Sequence, residues 1–161
     1  MTETKSEESL ADRSLKLERL FDAPRPLVFE ACSKKEHIDR WMCPHGFTVP
    51  ASSGEFRVGG KWHQKMLAPD GEPHEMIGTY EKIVPNELIV SSHAWLGDDG
   101  QPEHWSTFTL RFEDAGAGKT KLTLEHANLR SIESRNNHVG GWTQCLDKLG
   151  TLLAELNGKK S

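Results

Sequence analysis

The feature that most limits what this chain can fold into is a change of hydrophobic period near residue 129. From 46 to 128 the sequence reads in strand-length runs: "FTVPAS", "GEFRV", "KWHQKML", "EMIGTYEKIV", "ELIVSSHAW", "HWSTFTLRFE" and "KTKLTLEHA". Turn-forming segments separate them, "APDGEP", "PN", "GDDGQP" and "DAGAGK", and connections this short join antiparallel neighbours into a meander. Beyond 129, Trp142, Cys145, Leu146, Leu149, Leu152, Leu153 and Leu156 recur at spacings of three and four. That spacing predicts one apolar stripe on a helix from about 131 to 156, with Ser131 and Ser134 as candidate caps. A curved sheet must cover one face, and this helix is the element long enough to do it. Where the two layers fail to meet, a hollow remains, and that hollow is the expected functional site.

The front of the chain is simpler. Residues 1–13 are polar and are expected to form a disordered tail, followed by a single domain over 14–157 and a short tail at 158–161. "SLKLERLF" alternates as a strand, and "APRP" stops it and opens a helix, since proline is tolerated in a first helical turn. In "SKKEHIDRWM", Ser33 followed by Glu36 reads as a capping box opening a second short helix that presents Ile38, Trp41 and Met42, and Pro44 ends it. The expected class is α+β, with an antiparallel sheet of about six or seven strands.

The stretch "VGGKWHQKM" raises a choice. Paired glycines could cradle a phosphate, but they would have to lead into a helix N-terminus, and these lead into a period-two run. They are read as a bend in the sheet. Parity then places Trp62, Gln64 and Met66 on one face, with Met76, Gly78 and Tyr80 on the next strand. Ile89, Ser91, His93 and Trp95 follow, then Ser106, Phe108, Leu110 and Phe112, then Leu122, Leu124 and His126. The interior is aromatic and aliphatic with a few polar tips: Tyr80, Ser91, His93 and His126. Five tryptophans favour a cavity over a solid core, because tryptophan is seldom fully buried and its N–H needs a partner.

Other functions are disfavoured. A net charge of −4, with no cationic run beyond Lys34-Lys35 and the terminal Lys159-Lys160, argues against nucleic acid. No apolar run approaches a membrane span. Three widely spaced cysteines, Cys32, Cys43 and Cys145, make no disulfide framework, and with no secretory signal the expected location is cytoplasmic. Cys43 and His45 form a lone CxH pair with no second pair to complete a zinc site, so no metal or cofactor is expected. His138 is read as a helix-surface or cap residue and His126 as a satisfied core histidine. No nucleophile–base constellation is visible, and Glu55, Glu81 and Asp114 fall on exposed positions.

Taken in order, "APRPLVFEAC", "HIDRWMCP", "RVGGKW", "GTYEKIVPNEL", "HAW", "FEDAGAGKTKLTLEH" and "HVGGWTQCLDKL" resemble the START-like, helix-grip superfamily. More narrowly they resemble its branch named after the activator of the ninety-kilodalton heat-shock protein ATPase. The resemblance covers about residues 14–156. It implies a curved sheet gripping a long C-terminal helix, with a ligand cavity between them. The chain departs from the family pattern at Ser91 and His93, where relatives often carry bulky apolar or aromatic groups, and these replacements would make its pocket more polar than the family norm. Members bind lipids, hormones or polyketides, and some catalyse cyclisation or support hydroxylation. The expectation is therefore a non-enzymatic binder of a small apolar or amphipathic molecule. Its ligand-binding residues would be Trp41, Trp62, Met66, Tyr80, His93, Trp95, Phe108, His126, Trp142 and Leu146. A chaperone-interacting module and a cyclase- or hydrolase-type enzyme using His126 or Tyr80 are the rivals, and a second copy of the chain, in a homodimer, is a further candidate partner.

Overall fold

The computed structural model describes residues 9–159. β1 (Leu15–Phe21) leads through two short helices, α1 (Arg25–Ala31) and α2 (Lys35–Trp41), into β2 (Thr48–Gly54). β3 (Lys61–Leu67), β4 (Pro73–Val84), β5 (Leu88–Leu96), β6 (Pro102–Asp114) and β7 (Thr120–Ala127) follow, and α3 (Ile132–Lys159) closes the chain. All seven strands form one antiparallel sheet in the order β1-β7-β6-β5-β4-β3-β2. β2 to β7 are the expected meander, and β1 joins at the far edge, with Leu15 opposite His126 and Phe21 opposite Thr120. The fold is α+β, a curved sheet gripping α3.

The strand faces follow the parity of the sequence. Gln64, Met66, Met76, Tyr80, Ile89, Ser91, His93, Ser106, Phe108, Leu110, Phe112, Leu122, Leu124 and His126 are all buried on the side that α3 covers. From α3 the stripe Trp142, Cys145, Leu146, Leu149, Leu152 and Leu153 meets them. A register shift between Tyr80 and Lys82 changes the parity of β4, so that Tyr80 and Ile83 both face the core with Glu81 and Lys82 exposed between them, and a second shift lies between Ala94 and Leu96. α1 and α2 cover the remaining end of the sheet. Phe29 of α1 packs edge-on against Phe112 at 5.3 Å, and the Trp41 indole donates to the Ala31 carbonyl at 2.9 Å, locking the corner between the helices.

Local expectations were corrected in three places. "GEFRV" is not a strand: after β2 ends at Gly54, residues 55–60 turn back on themselves, with Arg57 N–H bonding Glu55 O and Gly60 N–H bonding Arg57 O. Gly59 has φ +85°, and a Cβ at Gly60 would overlap the Glu55 carbonyl oxygen, so the glycine pair makes this turn and sends β3 off along β4. Ser33 does not cap α2. The N-cap is Lys34, with no side-chain bond, because the Ser33 hydroxyl donates back to Glu30 O of α1. Residues 9–13 of the expected tail form a turn, with Arg13 accepting from Leu129 N–H through its carbonyl and reaching Asn128 and the Leu129 carbonyl through its guanidinium; residues 1–8 lie outside the described residues. At the other end, Ser131 caps α3 by accepting from the Ser134 N–H at 3.0 Å, and the helix continues to Lys159.

Candidate functional site

The sheet and the first half of α3 meet through two reciprocal hydrogen bonds. Trp95 on β5 donates its indole N–H to His138 Nε2 on α3 at 3.0 Å. Trp142 on α3 donates its indole N–H to His126 Nδ1 on β7 at 2.9 Å. Each layer contributes one tryptophan and one histidine to the other. An indole nitrogen only donates, so both accepting imidazole nitrogens are unprotonated. His138 then carries its proton on Nδ1, which donates to the Ser134 carbonyl at 2.7 Å. His126 carries its proton on Nε2, facing Ser106 Oγ at 2.8 Å. The Ser106 hydroxyl is left to donate to the His93 carbonyl at 3.2 Å, with His93 Nδ1 3.4 Å away.

His93, His126 and His138 thus form a compact cluster, with ring centres 5.0, 5.1 and 6.1 Å apart. Burial depresses all three. His93 falls from 6.5 to about 3, first by burial and then by the neighbouring His138. His126 lies well below its ordinary value through burial, then His93 and His138, and His138 is lowered by burial, partly opposed by its bond to Ser134. The cluster is neutral at physiological pH. Both nitrogens of His126 and of His138 are committed to indoles, a serine and a carbonyl, and no group of three or more His, Cys, Asp or Glu that could hold a metal ion occurs among the described residues.

Beside this cluster lies a cleft of about 400 Å³ between the sheet and the start of α3. Met66, Met76, Trp95 and His93 line it from the strands, Phe47 and Met42 from the segment after α2, and Trp142, Cys145, Gly141 and His138 from α3. His93 Nε2 makes no hydrogen bond within the described protein, on a side chain that forms part of this wall. Cys145 is buried and its thiol is pushed up to about 12, so it serves as an apolar wall rather than a nucleophile. A separate, narrower compartment of about 90 Å³ lies under the α1–α2 corner, lined by Trp62, Gln64, Tyr80, Phe108 and others. The two share only Met42.

The single hollow expected from sequence is therefore divided. Met66, His93, Trp95 and Trp142 line the cleft. Trp62, Tyr80 and Phe108 line the narrow compartment, where Trp62 bonds Ser91 Oγ at 2.8 Å across Gly78. Trp41, Leu146 and His126 are fully buried and line neither. His138 is not a surface residue: it is half-buried and holds Trp95. Its spacing of four before Trp142 was the available signal, since that spacing puts both on one helix face. Gln64, seen as inward by parity, was not recognised as a site residue.

The curved sheet, the long helix and the spaces between them define a helix-grip module of the START-like class. Residues 22–154 match the sequence signature of the family described as Activator of Hsp90 ATPase homolog 1-like protein, and the chain belongs to that family. Solved structures agree. The AHSA1 protein from Silicibacter pomeroyi is 27% identical, with a TM-score of 0.80 over 88% of this chain and 97% of that one. A protein from Chromobacterium violaceum is 25% identical, with a TM-score of 0.77 over 88% and 96%. A putative uncharacterized protein from Rhizobium leguminosarum is 27% identical, with a TM-score of 0.71 over 88% and 94%. No curated protein matched the sequence. No helix among the described residues is long and apolar enough to cross a membrane.

Proposed function

We propose that this protein binds a small, mainly apolar molecule carrying one polar end, in the cleft between the sheet and the start of α3. The observation that carries the reading is the cleft wall itself. Methionine and aromatic side chains surround about 400 Å³ of space, and one neutral imidazole, His93, offers a nitrogen with no partner among the described residues. This is the usual make-up of a small-molecule site, apolar with a few placed polar groups. Met42, Met66 and Met76 suit it to adapt to differently shaped ligands.

Binding is favoured over turnover. His126 is enclosed by Trp142 and Ser106 away from the cleft, and burial pushes the Tyr80 phenol up to about 12, far from the range of an efficient general base at neutral pH. The chaperone reading rests on the family description alone. The large apolar side chains left exposed among the described residues, Leu10, Leu20, Val58 and Trp105, sit on different elements and make no docking patch of their own.

The test uses tryptophan fluorescence, since Trp95 and Trp142 line the cleft. Titration with 1-naphthol should quench it saturably, and His93→Phe should weaken 1-naphthol while leaving naphthalene unaffected. Absence of saturable quenching by either compound would remove the binder reading. Equal affinities of the native protein and the variant for 1-naphthol would remove the role of His93.

A further inference from the structure

We propose that the narrow compartment beneath the α1–α2 corner is a second binding site, which takes a neutral single-ring cyclic amide or imide through paired hydrogen bonds to the Gln64 carboxamide. Gln64 is 4% exposed, and both its Oε1 and Nε2 are buried without a hydrogen-bond partner; they are the only such side-chain atoms among the described residues. A buried amide left unpaired is a destabilising choice wherever methionine or leucine would fit. Its same-face neighbours on β3, Trp62 and Met66, show that this surface readily holds apolar groups.

The surroundings define what would pair with it. A primary carboxamide presents a donor and an acceptor side by side, and its complement is a group with an acceptor and a donor at the same separation, the cis-amide edge of a lactam or imide. The aromatic rings of Trp62, Phe56, Tyr80 and Phe108, with Ile89, form the apolar part of the wall. The free space of about 90 Å³ suits one ring rather than two. Charge argues for a neutral ligand. Asp39 stands in the wall, accepting from Ser52 Oγ at 2.7 Å and from Lys35 Nζ at 3.1 Å, and His63 is engaged by Glu75 at 2.7 Å. An anion would meet a carboxylate there and no unengaged cation. The site is distinct from the cleft in which His93 lies and does not depend on it.

The experiment is a two-dimensional ¹H–¹⁵N NMR titration of the full chain with 2-pyridone, uracil and δ-valerolactam, with N-methyl-2-pyridone as the control lacking the donor. The Gln64 side-chain NH₂ pair is assigned by its loss in Gln64→Met. The expected result is saturable movement of that pair and of the Trp62 indole signal, with N-methyl-2-pyridone at least about tenfold weaker than 2-pyridone because one buried hydrogen bond is lost. Gln64→Met should abolish the difference. Should that variant fail to fold, the comparison of the two pyridones on the native protein decides alone. No movement with any of the three cyclic amides, or equal binding of the N-methyl compound, overturns the proposal. Movement confined to the Trp95 and Trp142 indole signals also overturns it, placing the ligand in the cleft and leaving the cleft reading intact.

Discussion

The indole N–H of Trp142 lies 2.9 Å from Nδ1 of His126, and this contact fixes the charge state at the centre of the fold. With Nδ1 occupied by a donor, His126 has one proton, on Nε2, and Ser106 receives it. Trp95 imposes the same condition on His138 from the opposite layer. Adding a second proton to either imidazole would set N–H against N–H and separate sheet from helix.

Acid should therefore unfold the protein early. The folded values of His93, His126 and His138 lie below the ordinary 6.5, so the unfolded chain binds more protons as pH falls. Stability from these groups is complete above about pH 6.5 and is lost on the way down towards the folded values, that of His93 being about 3. The slope is about 1.4 kcal/mol per pH unit for each imidazole that is neutral when folded and charged when unfolded. Urea unfolding at about pH 7.5 and about pH 5, above most carboxylate titration, checks this. An unfolding midpoint that does not move between them would refute a neutral cluster.

Trp142→Phe retains the ring but removes the donor, leaving His126 Nδ1 buried and unpaired. A loss of about 1–3 kcal/mol is expected, measured by urea unfolding at neutral pH. The ¹⁵N shifts of the His126 ring should also change, reporting a freed tautomer. An unchanged His126 spectrum would show that the indole bond does not set its protonation.

Two glycines should respond in opposite directions to alanine. A Cβ at Gly78 would overlap the Ser92 carbonyl oxygen and lie 2.5 Å from the Trp62 ring. Gly78→Ala should cost about 1–3 kcal/mol and displace Trp62 from Ser91. A Cβ at Gly140, within α3, meets nothing within 4 Å, so Gly140→Ala should stabilise by about 0.5–1 kcal/mol. Paired thermal melts of the two variants measure both, and two changes of the same sign would contradict this packing.

Gly141 lines the cleft, and a Cβ there touches only Pro44 Cγ at 4.0 Å. Gly141→Leu should fill part of the space while improving the helix. The expected outcome is 1-naphthol affinity reduced about tenfold or more with a melting temperature equal to or above that of the native protein. Retained affinity would place the ligand elsewhere.

The faces of the sheet were legible because alternation along a strand is a local property: once Trp62 is inward, Gln64 and Met66 must be. The stripe on α3 was legible for the same reason at a period of 3.6. The partners of polar groups were not. Ser33 satisfies the sequence rule for a cap, yet Glu30 O takes its hydroxyl. His138 looks like a solvent-facing helix residue until Trp95, 43 positions away, is brought to it. "GEFRV" alternates like a strand, but it folds into a tight turn in which Arg57 N–H bonds Glu55 O and Gly60 N–H bonds Arg57 O, too close for any side chain at Gly60.

By itself the sequence determined the class, the order of elements, which side chains enter the interior, and the family. Each of these depends on periodicity, turn chemistry and the order of short motifs, all readable along the chain. Tertiary structure alone decided that Trp95 and Trp142 line one space while Trp62 and Tyr80 line another, that β1 closes on β7, and that two tryptophan–histidine pairs clasp sheet to helix. Those outcomes depend on how far apart side chains from distant segments come to rest, and on which donors find acceptors there, quantities that no local pattern encodes.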